Sequence, residues 1–178
     1  MTLTLRRLTS RCFDVLWDQW APFLDENELF REHAEPQLQH ARSIVNESPP
    51  DPRYGIYGLV RDGGEGPVYE AFTHVNHKLS GSPHAEVRLV WNTLSPRYET
   101  DLDPDLLAEF TYAYITGAIR LAQSELKADT VRVYLGNATD RQYARGIVDG
   151  LRAHPIGSVT VALAGNWMHM SGVTGLSL

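Results

Sequence analysis

Polar and apolar residues alternate over Thr2–Arg6, which predicts a short strand at the start of the chain. The period then lengthens. Phe13, Leu16, Trp17, Trp20 and Leu24 recur at steps of three and four, which predicts a helix whose wide aromatic stripe packs into a core. A second helix is expected over Leu29–Val45, with Pro36 near its start or at a kink. It ends before Asn46-Glu-Ser-Pro-Pro-Asp-Pro52, a linker by composition. Strand-like runs follow at Tyr54–Arg61, Val68–His77 and Glu86–Thr93. Asp62-Gly-Gly-Glu-Gly-Pro67 and Leu79-Ser-Gly-Ser-Pro83 separate them, and their turn-forming residues predict three antiparallel strands.

After Pro96 the period is helical again, with Leu106, Leu107, Phe110, Tyr114, Gly117, Ala118 and Leu121 on one face. Asp103 is the expected N-cap and Pro104 the first helical residue, where a missing N–H costs nothing. Thr130–Leu135 reads as a strand. Thr139-Asp-Arg-Gln142 is a capping-box pattern that opens a helix to about Arg152, with Gly150 and Pro155 expected to help stop it. Ser158–Ala164 and Trp167–Ser171 read as a closing pair of strands, with Gly165-Asn166 a turn or bulge between them. The order strand, two helices, three strands, helix, strand, helix, two strands predicts an α+β (α/β) domain. In it, helices cover a largely antiparallel sheet.

Composition changes this picture little. At 178 residues, 43% apolar and 21% charged, the chain is expected to form one soluble domain over residues 1–178. Cys12 stands alone and no basic-plus-apolar leader opens the sequence, so a reducing, cytoplasmic setting is expected. Val159–Ala164 is too short an apolar run to cross a bilayer core of about 30 Å, so no membrane partner is expected. A net charge of −6 and no block of basic residues argue against nucleic acid as the main partner.

The order of elements, and the residues at its corners, resemble the GNAT superfamily of acyl-CoA-dependent N-acyltransferases. The resemblance spans nearly the whole chain. Leu5-Arg-Arg-Leu-Thr9 with Phe13-Asp-Val-Leu-Trp17 is similar to the family's first strand and helix. Gly55-Ile-Tyr-Gly-Leu-Val-Arg-Asp-Gly63 and Tyr69-Glu-Ala-Phe-Thr73 are similar to its second and third strands. Val87-Arg-Leu-Val-Trp-Asn-Thr-Leu-Ser-Pro96 is similar to its fourth, and Arg132-Val-Tyr-Leu-Gly-Asn137 to its fifth with the following Asn. The resemblance implies a twisted, mostly antiparallel sheet of six or seven strands. It also implies acetyl-CoA or another acyl thioester as donor, a small-molecule or peptide amine as acceptor, and a homodimer through the C-terminal strands. Val159-Thr-Val-Ala-Leu163, apolar enough to need a cover, is read either as that contact or as core.

Carried onto this sequence, the resemblance makes Glu86 the group that takes a proton from the amine and Tyr143 the group that returns one to the thiolate. Asn92, Thr93, Leu94 and Asn137 become the donor-binding positions. On residue type alone, Glu86 reads as a solvated strand-end acid, Tyr143 as a core tyrosine and Asn137 as a turn-former. The family's pyrophosphate loop belongs at Glu99, Leu102 and Pro104, where it places an Arg or Gln followed by two small residues. Here those positions bring the wrong charge, a bulky side chain and a missing N–H. Asp101, Asp103 and Asp105 add repulsion on the order of 1 kcal/mol each at surface dielectric. Two readings therefore stand side by side. One is an atypical N-acyltransferase fed by acyl-CoA or a carrier-protein thioester. The other is a non-catalytic GNAT-like binding or assembly module that has lost CoA, with the first-helix aromatics, Tyr112, Tyr114 or Trp167 at its interface.

Other chemistries find no pattern. His74 and His77 fall on opposite faces of a strand, and His33 and His40 lie two helical turns apart, so neither pair has metal-ligand spacing. Ser80-Gly-Ser82 sits in a turn rather than a nucleophile elbow, and no Walker loop or dinucleotide fingerprint occurs.

Overall fold

The computed structural model describes residues 3–26, 28–64, 66–79, 81–98, 103–154 and 157–176, with all their side chains except those of 25, 26, 28–30 and 33. The elements are β1 (Leu3–Arg7), α1 (Ser10–Glu26), α2 (Glu28–Val45), β2 (Tyr54–Gly63), β3 (Gly66–Lys78), β4 (Glu86–Leu94), α3 (Pro104–Gln123), β5 (Thr130–Tyr134), α4 (Ala138–Ala153), β6 (Thr160–Ala164) and β7 (Trp167–Ser171). Short 3-10 turns sit at Pro96–Tyr98 and Val173–Gly175. The expected order is the observed order. The strands form one seven-stranded sheet in the order β1-β2-β3-β4-β5-β7-β6. Among the pairs with described register, β1/β2, β5/β7 and β6/β7 are antiparallel and β4/β5 is parallel. Among the described residues no helix is long and apolar enough to cross a membrane.

The chain divides into two compact units. The first comprises Met1–His74 and Asn92–Ile115. Its helix α1 starts where the Thr9 hydroxyl accepts the Cys12 N–H at 3.3 Å. The aromatic stripe then turns inward: Phe13, Leu16, Trp20 and Leu24 are buried. Trp20 packs 5.5 Å from Phe72 and donates its indole N–H to the Tyr69 carbonyl at 2.9 Å. Trp17 is less buried and carries the Arg42 guanidinium 5.1 Å from its ring. Pro36 lies inside α2, whose Leu38 and Ala41 are buried. At the α3 start the cap is as expected, with Asp103 accepting the Asp105 N–H at 2.9 Å and Pro104 the first helical residue. Tyr114, assigned above to an interface, is buried, whereas Tyr112 is exposed.

The second unit comprises Val75–Trp91 and Thr116–Leu178. Val87, Leu89, Val131, Met168 and Met170 form the apolar face of its strands, and Ala118, Ile119, Leu121, Ala122, Ala144 and Val148 are buried on its helices. The β6–β7 connection is a two-residue turn rather than a bulge. Ala164 pairs with Trp167, and Gly165 takes the positive φ of 58° that a side chain would resist. Gly172 is also left-handed, and its N–H and that of Thr174 are held by the Asp129 carboxylate at 3.2 and 3.3 Å.

The opening of α4 corrects the sequence reading. Asn137 is the N-cap, not Thr139, and Asp140, not Gln142, completes the capping box. Asn137 accepts the Asp140 N–H at 2.9 Å, while the Asp140 carboxylate accepts the N–H of Asn137 at 3.3 Å and of Gly136 at 2.9 Å. Asn-x-x-Asp and Thr-x-x-Gln overlap here, and the chain leaves β5 in extended geometry at Asn137, two residues earlier than Thr139 allows. Gly150 does not end α4, which runs to Ala153; the Gly150 carbonyl instead accepts the His154 N–H at 2.9 Å. Pro155 lies outside the described residues.

Candidate functional site

In the second unit, Glu86 opens β4 on the face opposite Val87 and Leu89, and it is not a solvated strand-end acid. Its side chain is 13% exposed. One carboxylate oxygen accepts from Arg88 Nε at 2.8 Å and Nη2 at 2.6 Å, and the other from Arg132 Nη2 at 2.8 Å. The parallel pairing explains this: Glu86 lies opposite Thr130 and Arg88 opposite Arg132, so the acid reaches both guanidiniums. A carboxylate held by two cations is an anchor first. The sequence held a signal for it, since Glu86 and Arg88 share a face at period two. The Arg132 partner required knowing which strand lies beside β4.

Tyr143 lies on α4 with 39% of its surface exposed. It is open to solvent rather than in the core. Asn137 is exposed, but its side-chain oxygen is committed to the cap. Asn137→Ala should therefore lower stability by about 1 kcal/mol in denaturant titration, the usual cost of a lost N-cap. A change within a few tenths of a kcal/mol would show that the cap is dispensable.

The other positions proposed for the donor, Asn92, Thr93 and Leu94, lie in the first unit. Asn92 is exposed and Leu94 half-buried, while the buried Thr93 hydroxyl donates to Gln37 Oε1 of α2. In the second unit, the described pairing of β4 with β5 ends at Leu89–Val133, although β4 continues. The Leu135 N–H turns away to the Asn166 carbonyl at 2.8 Å.

Just past β4, an ionic network fills the first unit that sequence reading missed. Glu70 of β3 is 2% exposed. Its carboxylate accepts from Arg61 Nε at 2.9 Å, from the Tyr98 hydroxyl at 2.6 Å and from the Arg97 guanidinium. Its carbonyl accepts the Ser95 N–H at 2.8 Å, joining β3 to the end of β4. Arg61 also grips Glu109 of α3 with two bonds, at 3.1 and 3.0 Å, and this holds the Glu109 carboxyl below the usual carboxylate range. Tyr98 packs edge-on to Phe110 at 5.3 Å, with Arg97 over its ring. Arg97 thus has an internal carboxylate as partner.

Glu99, Asp101 and Leu102 lie outside the described residues. Pro104, Asp103 and Asp105 are described, and they do not fit a pyrophosphate. Pro104 supplies no N–H, the Asp105 N–H is already bound by Asp103, and two carboxylates occupy the positive end of the α3 dipole.

His74 packs edge-on to His40 at 6.0 Å and to Tyr54 at 6.1 Å, and burial first, then His40, lowers its pKa. Among the described residues no group of three or more His, Cys, Asp or Glu is placed to hold a metal ion. The His33 side chain lies outside them.

No protein-family model and no curated protein sequence matches the chain. Several solved structures are similar to it, two of which follow. One is an acetyltransferase from Thermus thermophilus, 12% identical over 96% of each chain, with a TM-score of 0.48. The other is a KacTA–DNA complex, 11% identical over 80% of this chain and 79% of that chain, with a TM-score of 0.45. Both likenesses are distant.

Proposed function

We propose that the chain is an acyltransferase of the GNAT type, taking an acyl group from a thioester and passing it to a primary amine. The observation that carries this reading is the end of described pairing between β4 and β5 at Leu89–Val133, within a seven-stranded sheet of the kind the resemblance implies. Beyond Leu89 the β4 backbone offers peptide groups to a ligand that lies along it like an added strand. A β4 N–H facing the thioester carbonyl would stabilise the oxyanion formed as the amine attacks. Collapse of that intermediate breaks the C–S bond. Tyr143, exposed on α4, is the donor assigned to the departing thiolate, and the proton the attacking nitrogen loses passes to solvent water, from which Tyr143 is reprotonated. Glu86 holds Arg88 and Arg132 in place and is a positioning residue. The start of α3 disfavours a pyrophosphate, so the donor that suits the chain best is a carrier-protein thioester, whose arm has none.

The test is release of free thiol from acyl-carrier thioesters and from acetyl-CoA, with a panel of amines. Amine-dependent release is expected, reduced about a hundredfold in Tyr143→Phe. No release from any donor would overturn the reading.

A second reading has its own support. Glu70 occupies Arg97 from within, the Asn137 side chain is spent on a cap, and Asp103 and Asp105 guard the helix start. Together these suit a binding module without a thioester. Under it, acetyl-CoA gives no heat in calorimetry and no carrier thioester is consumed.

A further inference from the structure

The polar face of β4, β5, β7 and β6 in the second unit is laid out in rows of cross-strand partners. Glu86, Thr130, Ser171 and Thr160 form the first. Arg88, Arg132, His169 and Ala162 form the second, and Tyr134, Trp167 and Ala164 the third. Like charges in register on neighbouring strands repel, so Arg88 and Arg132 need a counter-charge. Glu86 supplies one negative charge against two positive ones. Burial and then Arg132 lower the His169 pKa, so at neutral pH the imidazole does not alter that balance.

Among the described residues one positive charge of this face is therefore left over, and donors with it. Among the same residues Arg132 Nε is buried without a hydrogen-bond partner, an arrangement that costs free energy until an acceptor arrives. Yet the cluster is not sealed: the side chains of Arg88 and Arg132 remain 19% and 27% exposed. The third row is aromatic, with the Tyr134 and Trp167 rings edge-to-face at 5.1 Å and Arg88 5.7 Å from the Trp167 ring centre. β6 ends the sheet beside them with exposed Ala162 and Ala164, too short to cover His169 or Trp167.

The geometry points to a binding site for a small monocarboxylate with an apolar body, the carboxylate on Arg132 beside Arg88 and the apolar part on Trp167 and Tyr134. A single negative charge matches the excess; a phosphate dianion overshoots it, and a neutral ligand leaves the arginine donors unmatched. Tyr134 follows Val133, the last β5 residue paired with β4, so a ligand anchored on Arg132 is directed towards the β4 edge assigned to the thioester. Resting on the acyltransferase reading, this makes the acyl acceptor an apolar α-amino acid, whose amine and carboxylate enter together.

Calorimetric titration of the full chain, without any thioester, uses L-phenylalanine, L-phenylalaninamide and phenyl phosphate as probes. L-Phenylalanine should bind at least about tenfold more tightly than the other two and shift the His169 imidazole resonance. Arg132→Gln should weaken it by at least about tenfold, as should Arg132→Lys, which keeps the charge but loses Nε. Equal affinity for acid and amide, tighter binding of the phosphate, no binding at all, or folded Arg132 variants with unchanged affinity would overturn the site. The acid–amide comparison decides on wild-type protein even if a variant fails to fold. L-Phenylalanine binding with no thiol release from any donor would overturn the acyltransferase reading and leave the site standing. Thiol release with amines that lack a carboxylate, and no L-phenylalanine binding, would do the reverse.

Discussion

Replacing Glu70 by alanine should destabilise the protein by about 3–5 kcal/mol, the cost of stripping one partner from a buried ion pair. The carboxylate is the shared acceptor of Arg61, Arg97 and the Tyr98 hydroxyl, and it is almost wholly buried. Without it Arg61 keeps Glu109, but Arg97 loses its carboxylate and Tyr98 its acceptor. Glu70→Gln preserves shape and one acceptor oxygen, so its cost should be smaller, about 1–3 kcal/mol. Urea titrations of both variants at a common denaturant slope make the comparison. A loss below about 1 kcal/mol in Glu70→Ala would mean that the network is solvated enough to do without its acid.

A loss of similar size, about 3–5 kcal/mol, is expected for Trp20→Ala. Here the cause is volume rather than charge. Trp20 is fully buried, tilted against Phe72, and its indole N–H satisfies the Tyr69 carbonyl of β3. Alanine leaves a cavity and an unmatched carbonyl together. Trp20→Phe refills most of the space but not the hydrogen bond, and should recover more than half of the loss. Thermal and urea midpoints measured in parallel check this, and equal losses for the two variants would assign the whole effect to the hydrogen bond.

Periodicity sufficed for the order of elements because each carries its own local signal. The stripe from Phe13 to Leu24, the Asp103-Pro104 helix start and the strand-like runs between turn residues all survive into the structure. Local signals fail where two compete, as at Asn137 and Thr139, where the geometry of leaving β5 selects the earlier cap. They also fail wherever a side chain's role is set by a neighbour distant in sequence. Glu70 sits inside Tyr69-Glu-Ala-Phe72, an apolar run that hides an acid, and nothing nearby announces Arg97 or Tyr98 as its partners. Glu86 looked solvated because Arg132 belongs to a strand beyond an intervening helix. Arg88, Arg132, His169 and Trp167 were each visible as residues, but their assembly into rows depends on which strands lie side by side, and that order is not encoded in the hydrophobic pattern of any one strand.

The two compact units interleave along the chain: the first closes only with Asn92–Ile115, and the second begins at Val75, before the first has ended. During synthesis, β1 to β3 and helices α1 and α2 therefore leave the ribosome before Arg97, Tyr98 and Glu109 exist to pair with Glu70 and Arg61. A buried acid must wait, solvated, until translation has passed the end of β4. The second unit waits longer, because β4 pairs with β5 only after α3 has been made, and Asp129 finds Gly172 and Thr174 later still. Ribosome stalling between Glu70 and Arg97 would leave a nascent chain that holds the acid, solvated, without Arg97 or Tyr98.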